Sequence, residues 1–449
     1  MLIQKNYIMT TRYISFVLLA FLLVTALIGC SSSSVHTRAI KSGGDETSLM
    51  INVRTLGAKG DGKTDDTPAF LAAIEKARAG EGIILVPKGK YLISKPLDIE
   101  KLTLTGSGVG TWPADVDTLP SIIPIHRDKP AIIIGKGSFL HGIDITYKWE
   151  VEPTNGPAAV LITGVGAVVR DVRIRYAWDG ILADGEHNIG RVDIGNVFMN
   201  SIRNVGVRIT GTWDASRLRN IEIWNTKNLK CETLPGIGFL LGKNDMLHIS
   251  DCFVFGMSIG FELTNQIKNC KIKGATWAVM NGCATDYCNT GIVVNGQGRH
   301  RLTVSGGSFW NHRESLVVNA GKKSRVRVSG SELKSNGSVV VRVNSCDNTV
   351  ITGCTLLRLM KKYDFPAVVL SGGKVVLGSN YIESHGPGVV VESGVRSAVI
   401  TGNLIETAEG QPAIINSCGT NSAVIISSNA EIAIQKQSAK KPSSNNKSK

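Results

Sequence analysis

Between Leu302 and Asn429 the chain repeats itself, and the length of the repeat rules out most folds. Val304-Ser305-Gly306-Gly307, Val328-Ser329-Gly330-Ser331, Ile351-Thr352-Gly353-Cys354 and Ile400-Thr401-Gly402-Asn403 are one phrase: apolar, polar, Gly, small. Leu377-Gly378-Ser379-Asn380 is the same phrase with Ser for Gly, and the five anchors lie 24, 23, 26 and 23 residues apart. A second phrase alternates with it, in Gly291-Ile292-Val293-Val294, Leu316-Val317-Val318, Val339-Val340-Val341, Val368-Val369-Leu370 and Gly388-Val389-Val390-Val391. Apolar spacing of two, broken by Gly, Asn and Ser every few residues, fits short strands and no helix. A fixed period in the twenties built of short strands predicts a solenoid, one coil per period. The expected fold is all-β: a parallel β-helix whose like positions stack.

Composition agrees. The 449 residues include 49 glycines and only 6% aromatics, which suits a narrow core of Val, Ile and Leu with many tight turns. The net charge of +14 overstates the body: Lys5 and Arg12 lie near the N-terminus and five lysines between 436 and 449 at the other end, leaving about +7. A modestly basic body favours an acidic polymer as partner. No basic-aromatic platform recurs, so nucleic acid is not expected. Of the nine cysteines, Cys252, Cys270 and Cys354 each follow a turn residue (Asp251, Asn269, Gly353) and read as buried thiols in an inward column. Cys283 and Cys288 have a spacing that could bridge a loop, and nothing has the paired spacing of a zinc site.

Ile51 to Leu97 carries the most specific motif. It reads Gly57-Ala58-Lys59-Gly60-Asp61-Gly62-Lys63-Thr64-Asp65-Asp66-Thr67-Pro68-Ala69, and then Val86-Pro87-Lys88-Gly89-Lys90-Tyr91. Asp66 or Thr67 is placed to cap a helix, with Pro68 in its first turn and Phe70, Leu71, Ile74 and Ala77 on its apolar side. An open solenoid end exposes core, so this short N-terminal helix is expected to cover it. Asp61, Asp65 and Asp66 are read as loop and cap residues rather than a metal or acid site. The segment resembles the entry segment of the pectate-lyase superfamily, which includes rhamnogalacturonase-like and epimerase-like proteins. That resemblance implies a single-stranded right-handed parallel β-helix that binds or cleaves polysaccharide.

The N-terminus resembles a bacterial lipoprotein leader. Lys5 and Arg12 precede an apolar run from Ile14 to Ile28, too short for a comfortable span. Leu27-Ile28-Gly29-Cys30 then resembles a lipobox, with Met9 an alternative start. Residues 1–30 are expected to be a signal peptide lipidated at Cys30, with 31–48 a polar tether, 49–430 the β-helix, and 431–449 a disordered basic tail. The expected location is the bacterial cell envelope, with the membrane a partner through the lipid.

Charge gathers on the middle rungs. In Gly180-Ile181-Leu182-Ala183-Asp184, Gly206-Val207-Arg208-Ile209-Thr210, Gly238-Phe239-Leu240-Leu241-Gly242 and Gly260-Phe261-Glu262-Leu263-Thr264, the second and fourth residues after Gly should face outward. Farther along, that column becomes Val293, Val317, Val340, Val369 and Val390. Asp171, Asn196, Asn220, Asp251 and Asn269 form another column, of turn residues, and Asn380, Asn403 and Asn429 a short asparagine stack. From Lys101 to Glu152 the repeat is obscured and a long loop is expected, with a second excursion at Trp149-Glu150. Turns carrying Glu186, His187, Trp213 and Asp214 should lie over one another. Acids one rung apart and displaced along the strand would be separated by roughly 6–9 Å, the spacing an inverting glycosidase needs. Asp184 or Glu186 with Asp214 are therefore the candidate catalytic carboxylates. Trp178, Asp179, His187, Arg208, Trp213, Arg217 and Trp224 are the candidate substrate-binding residues. The sequence lacks the N-T-D, D-D, G-H-G and R-I-K phrases of polygalacturonases. A lyase would instead use Arg208, Lys243 or His187 as base, with calcium possible; otherwise no cofactor is expected. A non-catalytic carbohydrate-binding β-helix is the remaining alternative.

Overall fold

The computed structural model describes residues 50–434, apart from 81, 109–118, 227–228, 362–363 and 420–422. Cys30, the leader and tether, and the tail beyond 434 lie outside the described residues. The chain is a parallel β-helix. Thirteen strands form one sheet and twenty-seven another. The larger sheet is two ladders joined where Val168–Arg175, Asp193–Asn200 and Ser216–Trp224 run through both. The coil therefore has three faces: a first ladder, a second ladder, and the thirteen-stranded sheet, here called the third face.

One left-handed residue makes the corner between the ladders. Gly142, Asp171, Asn196, Asn220, Asp251, Gly282, Gly306, Gly330, Gly353, Ser379, Gly402 and Ser428 all have φ between 49° and 68°. Only Gly occupies that region freely, and Asn and Asp tolerate it best among the rest, so the repeating phrase records a bend. Asn269 has a left-handed φ too but lies in a loop; Gly282 takes its expected place, because Ser250 pairs with Asn281. Cys270 accordingly leaves the inward column, while Cys252, Cys283 and Cys354 follow corner residues and are buried. Cys283 and Cys288, whose spacing left a loop bridge open, are both free and buried. Asn380 donates to Asn403 at 3.0 Å, and Asn403 to Asn429 at 2.9 Å. Each also caps a carbonyl from the preceding coil, which closes the expected asparagine stack.

Helix α1 (Thr67–Gly80) buries Phe70, Ala73, Ile74 and Ala77. Asp66 accepts the N–H groups of Lys59 and Gly60 at 2.6 and 3.0 Å, tying the glycine-rich loop to the helix start. Asp65 accepts from the Thr67 N–H and from Ser94 Oγ. Asp61 accepts the Lys63 and Thr64 N–H groups, and those bonds bring its carboxyl down to about 2. All three acids hold the loop.

Rungs are present on both sides of the long loop expected after Lys101, whose residues 109–118 lie outside the described residues. Thr103–Gly106, Ser121–Pro124, Ile132–Ile134, Phe139–His141 and Asp144–Thr146 are strands, leaving the irregular path after Tyr147 as the excursion. On the third face, Leu161, Leu182, Arg208, Leu240, Glu262, Val293, Val317 and Arg342 pair in succession. Arg342 stands where Val340 was expected, because that strand starts at Val341. The last strand, Ala430–Ala433, extends past the expected boundary at 430.

A buried charge cluster sits on the second ladder. Asp144 is fully buried and accepts from Arg173 Nε (2.8 Å), Arg175 Nε and Nη2 (3.0 and 2.8 Å), Ser121 Oγ and Thr146 Oγ1 (both 2.7 Å). Burial alone would raise its pKa, but the Arg175 and Arg173 guanidiniums and Ser121 outweigh it and hold the carboxyl low.

Candidate functional site

Several strands of the third face carry a glycine near their start, where the coils come close (Gly180, Gly206, Gly238 and Gly260). At Gly180 a Cβ would come within 2.3 Å of the Gly206 carbonyl oxygen. The residue before that glycine is Asp179, paired with Ala158. Its carboxylate accepts from Asn204 Nδ2 (2.8 Å) and the Val205 N–H (2.9 Å). Burial overrides those bonds and the nearby Arg208 charge, and raises Asp179 to about 6. Ala158, Leu161, Leu182, Val205 and Leu240 make a small apolar floor beside it. Arg208 lies across that floor, with Nε and Nη2 on the Ala183 carbonyl at 3.1 and 2.7 Å. Glu262, two pairings farther on, has its pKa raised by burial.

The far ends of the same strands carry the turns. Asp184 accepts the backbone N–H groups of Glu186 and His187 (2.9 and 3.0 Å) and also bonds His187 Nδ1. That bond, with the carboxylate's charge, raises the His187 pKa, although the ring is 64% exposed. In the next coil the Ile189 N–H reaches the Gly211 carbonyl at 3.0 Å, and Gly190 packs against the backbone of Trp213 and Asp214. The expected stacking of these turns is thus present. The acids are not free, however: Glu186 pairs with Lys271 at 2.9 Å and Asp214 with Arg191 at 3.2 Å. Both pairs are solvent-exposed, so an incoming ligand can replace either partner at little cost. Trp213 is 51% exposed, with Lys243 Nζ 3.3 Å from its ring centroid.

Two walls flank this surface. The segment 265–275 folds back over three strands: the Ile272 N–H bonds the Gly185 carbonyl at 2.9 Å, and Cys270 packs against Gly185. It brings Lys271 to the turn and buries the Cys270 thiol, whose pKa rises with burial. At the opposite edge the excursion after Tyr147 stacks Trp149 on Tyr147 (5.6 Å), under Arg127 (4.8 Å). Trp178 belongs to that edge, against Gly156, and not to the His187 edge. Glu152 binds Arg203 there at 2.6 Å.

Two expected residues lie elsewhere. Arg217 pairs with Asp193 and His248 on the first ladder, and Trp224 packs on Phe253 and Phe255 on the second. Their nearness in sequence to Asp214 misled, because the chain enters the first ladder at Ser216, before Arg217, and turns a further corner at Asn220 before Trp224. Among the described residues no three His, Cys, Asp or Glu side chains converge to hold a metal ion.

Residues 50–121 match the model of the family described as rhamnogalacturonase A/epimerase, pectate lyase-like, and residues 158–331 match that of the right-handed β-helix region. The chain belongs to the pectate-lyase-like superfamily. This right-handed pectate-lyase-like β-helix is 23% identical over 367 residues to a glucan 1,3-beta-glucosidase of Cochliobolus carbonum, covering 76% of this chain and 39% of that protein. It is 52% identical over 56 residues to a polygalacturonase of Arabidopsis thaliana, covering 11% of this chain and 13% of that one. The chain therefore spans well under half the length of either relative. Among solved structures, the N-terminal fragment of gene product 12 of bacteriophage Phi29 superposes with a TM-score of 0.60 at 15% identity, covering 84% of this chain and 72% of that one. That likeness concerns the fold. The pectate-lyase-like chain adds one feature that its repeat concealed: the 265–275 wall, signalled only by the missing phrase between Leu263 and Thr276.

Proposed function

We propose that the third face of this β-helix binds an acidic polysaccharide and cleaves its glycosidic bonds by acid/base hydrolysis. The observation that carries the reading is the Asp184–His187 pair, held on the same strand ends as Arg208 and beside the stacked Asp214 turn. Arg208, Lys243, Lys271 and His187 put positive charge along one edge, which favours a uronate-bearing chain. Trp213 and, at the other edge, Trp178 offer flat surfaces for sugar rings.

Asp184 is bonded three times by its own turn, so its part is to orient His187 and to stabilise the imidazolium. His187 Nε2–H then donates to the glycosidic oxygen as the bond from the anomeric carbon breaks. Asp214 or Glu186, released from its exposed ion pair, takes a proton from the water that attacks the anomeric carbon. One new reducing end forms per cleavage, and the proton taken from water returns to His187 through solvent. A leader lipidated at Cys30 would place this activity on the cell envelope.

The test is a panel of pectin, alginate and glycosaminoglycans incubated with the full chain. Reducing ends without unsaturation are expected, with turnover reduced 10²–10⁴-fold in His187→Ala. Unsaturated products would assign a lyase, and retention without products a binding protein. Full activity in His187→Ala together with Asp214→Ala would refute the site.

A further inference from the structure

The second ladder carries a feature that neither the core nor the third face uses. Its outward positions at four successive coils are Trp224, Phe255, Asp286 and Trp310. With Phe253 and Tyr287, the aromatic members form a continuous run of rings: Trp224–Phe255 at 5.3 Å, Phe255–Tyr287 at 5.5 Å and Tyr287–Trp310 at 6.5 Å. The run covers three coil spacings, about 14 Å. Tyr287 and Trp310 are 42% and 39% exposed. Ring pairs on neighbouring coils stabilise the ladder, but that does not require two of the rings to stay open to solvent, and the exposed pair offers a surface for a ligand.

Two independent details say which kind. Tyr287 is a bulge: Asp286 pairs with Trp310 and Cys288 with Asn311, and Tyr287 takes a left-handed φ of 53°. A bulky residue in that region costs energy, and here the bulge turns a ring outward that regular alternation would have buried. Beneath it, three polar atoms find no hydrogen-bond partner among the described residues: Asp286 Oδ1, Asn289 Oδ1 and His312 Nε2. They belong to one neighbourhood. Tyr287 meets the His312 ring edge-on at 5.3 Å, and the His312 N–H bonds the Cys288 carbonyl at 2.7 Å. Asn289 Nδ2 donates to the Cys231 carbonyl (2.8 Å). Two of these atoms can only accept a hydrogen bond, and burial lowers the His312 pKa, leaving a nitrogen that also accepts when the proton is on Nδ1.

Acceptors with no donor among the described residues, under stacked rings, match hydroxyl groups. The charge here is mainly acidic and disfavours an anion: Glu222 pairs with Phe253, Asp286 and Glu232 act on His312, and Lys334, 5.5 Å from the Trp310 centroid, is held by Glu332 at 2.7 Å. We propose that this aromatic track on the second ladder, centred on Tyr287 and Trp310 over Asp286, Asn289 and His312, is a binding site for a neutral oligosaccharide. The rings stack on sugar faces, and small movements of Tyr287 open the three acceptors to sugar hydroxyls. The site is separate from the third face and does not depend on the hydrolase reading.

The experiment titrates the full chain with cellohexaose, laminarihexaose and mannohexaose, read by tryptophan fluorescence and calorimetry, with hexagalacturonate as the charged counterpart. At least one neutral hexaose should bind. Trp310→Ala and Tyr287→Ala should each weaken it at least tenfold, and Trp310→Phe, which keeps a stacking ring, should recover most of the loss. His187→Ala should leave it unchanged, so failure of the third-face reading is seen separately. Circular dichroism of each variant confirms the coil. The proposal is overturned if no neutral hexaose binds, if binding survives Trp310→Ala with Tyr287→Ala, or if hexagalacturonate binds this track more tightly.

Discussion

Replacing Asp144 by Asn should cost this protein more stability than removing almost any other single charge. Five hydrogen bonds converge on the Asp144 carboxylate, and Arg173 beside it is equally buried. Asn keeps the shape but removes the charge and puts an NH2 where an oxygen accepted from arginine. Arg175 is partly exposed and can turn toward water, whereas the buried Arg173 loses its anionic partner. Breaking a buried pair in this way costs about 3–5 kcal/mol, a large share of a stability of about 5–15 kcal/mol. The assay is urea unfolding followed by circular dichroism, with Glu75→Gln as control. Glu75 makes an exposed pair with Arg78 and should lose no more than about 0.5 kcal/mol. Because the Asp144 carboxyl titrates low in the fold, its contribution is present above the ordinary carboxylate range and is lost as pH falls through the lowered value. The variant should lack that loss at acid pH. A cost under about 1 kcal/mol for Asp144→Asn would refute the argument that this buried charge cluster holds the coil together.

Asp179 should behave in the opposite sense. Its raised pKa means the fold binds a proton that the unfolded chain releases, so its contribution to stability falls as pH rises from about 4 to about 6 and then levels off. Asp179→Asn should flatten that limb in thermal melts taken across the window, and should be as stable as the parent or more so at pH 7. Asn403→Ala should cost about 2–4 kcal/mol, since it strands the Leu377 carbonyl and breaks bonds to both neighbouring asparagines; a loss below about 0.5 kcal/mol by urea unfolding would contradict a working stack. Cys30→Ala should move the protein from the membrane to the soluble fraction and abolish metabolic labelling with palmitate; retained labelling would contradict lipidation there.

The coil was legible because its corner admits few residue types. Gly306, Gly330, Gly353 and Gly402 recur since a left-handed backbone must recur, and the spacing between them is the circumference. Where Asp, Asn or Ser fills the same corner the phrase weakens, and Asn269, left-handed but in a loop, could stand in for Gly282. Val340 misled for a related reason: three consecutive valines do not declare which of them begins the strand. The stacked turns at Glu186 and Asp214 followed from the period alone. The partners Lys271 and Arg191, the wall at 265–275 and the burial of Asp179 did not, because loop paths and side-chain reach leave no periodic trace. Trp224 shows the limit most plainly, since one corner residue at Asn220 separates two faces that look adjacent in sequence.

The account stands or falls on where an acidic sugar chain lies. A crystal structure of Asp184→Asn soaked with hexagalacturonate should place the oligosaccharide on the third face, a carboxylate at Arg208 and a ring near Trp213. Density along either ladder of the larger sheet, with the third face empty, would contradict it.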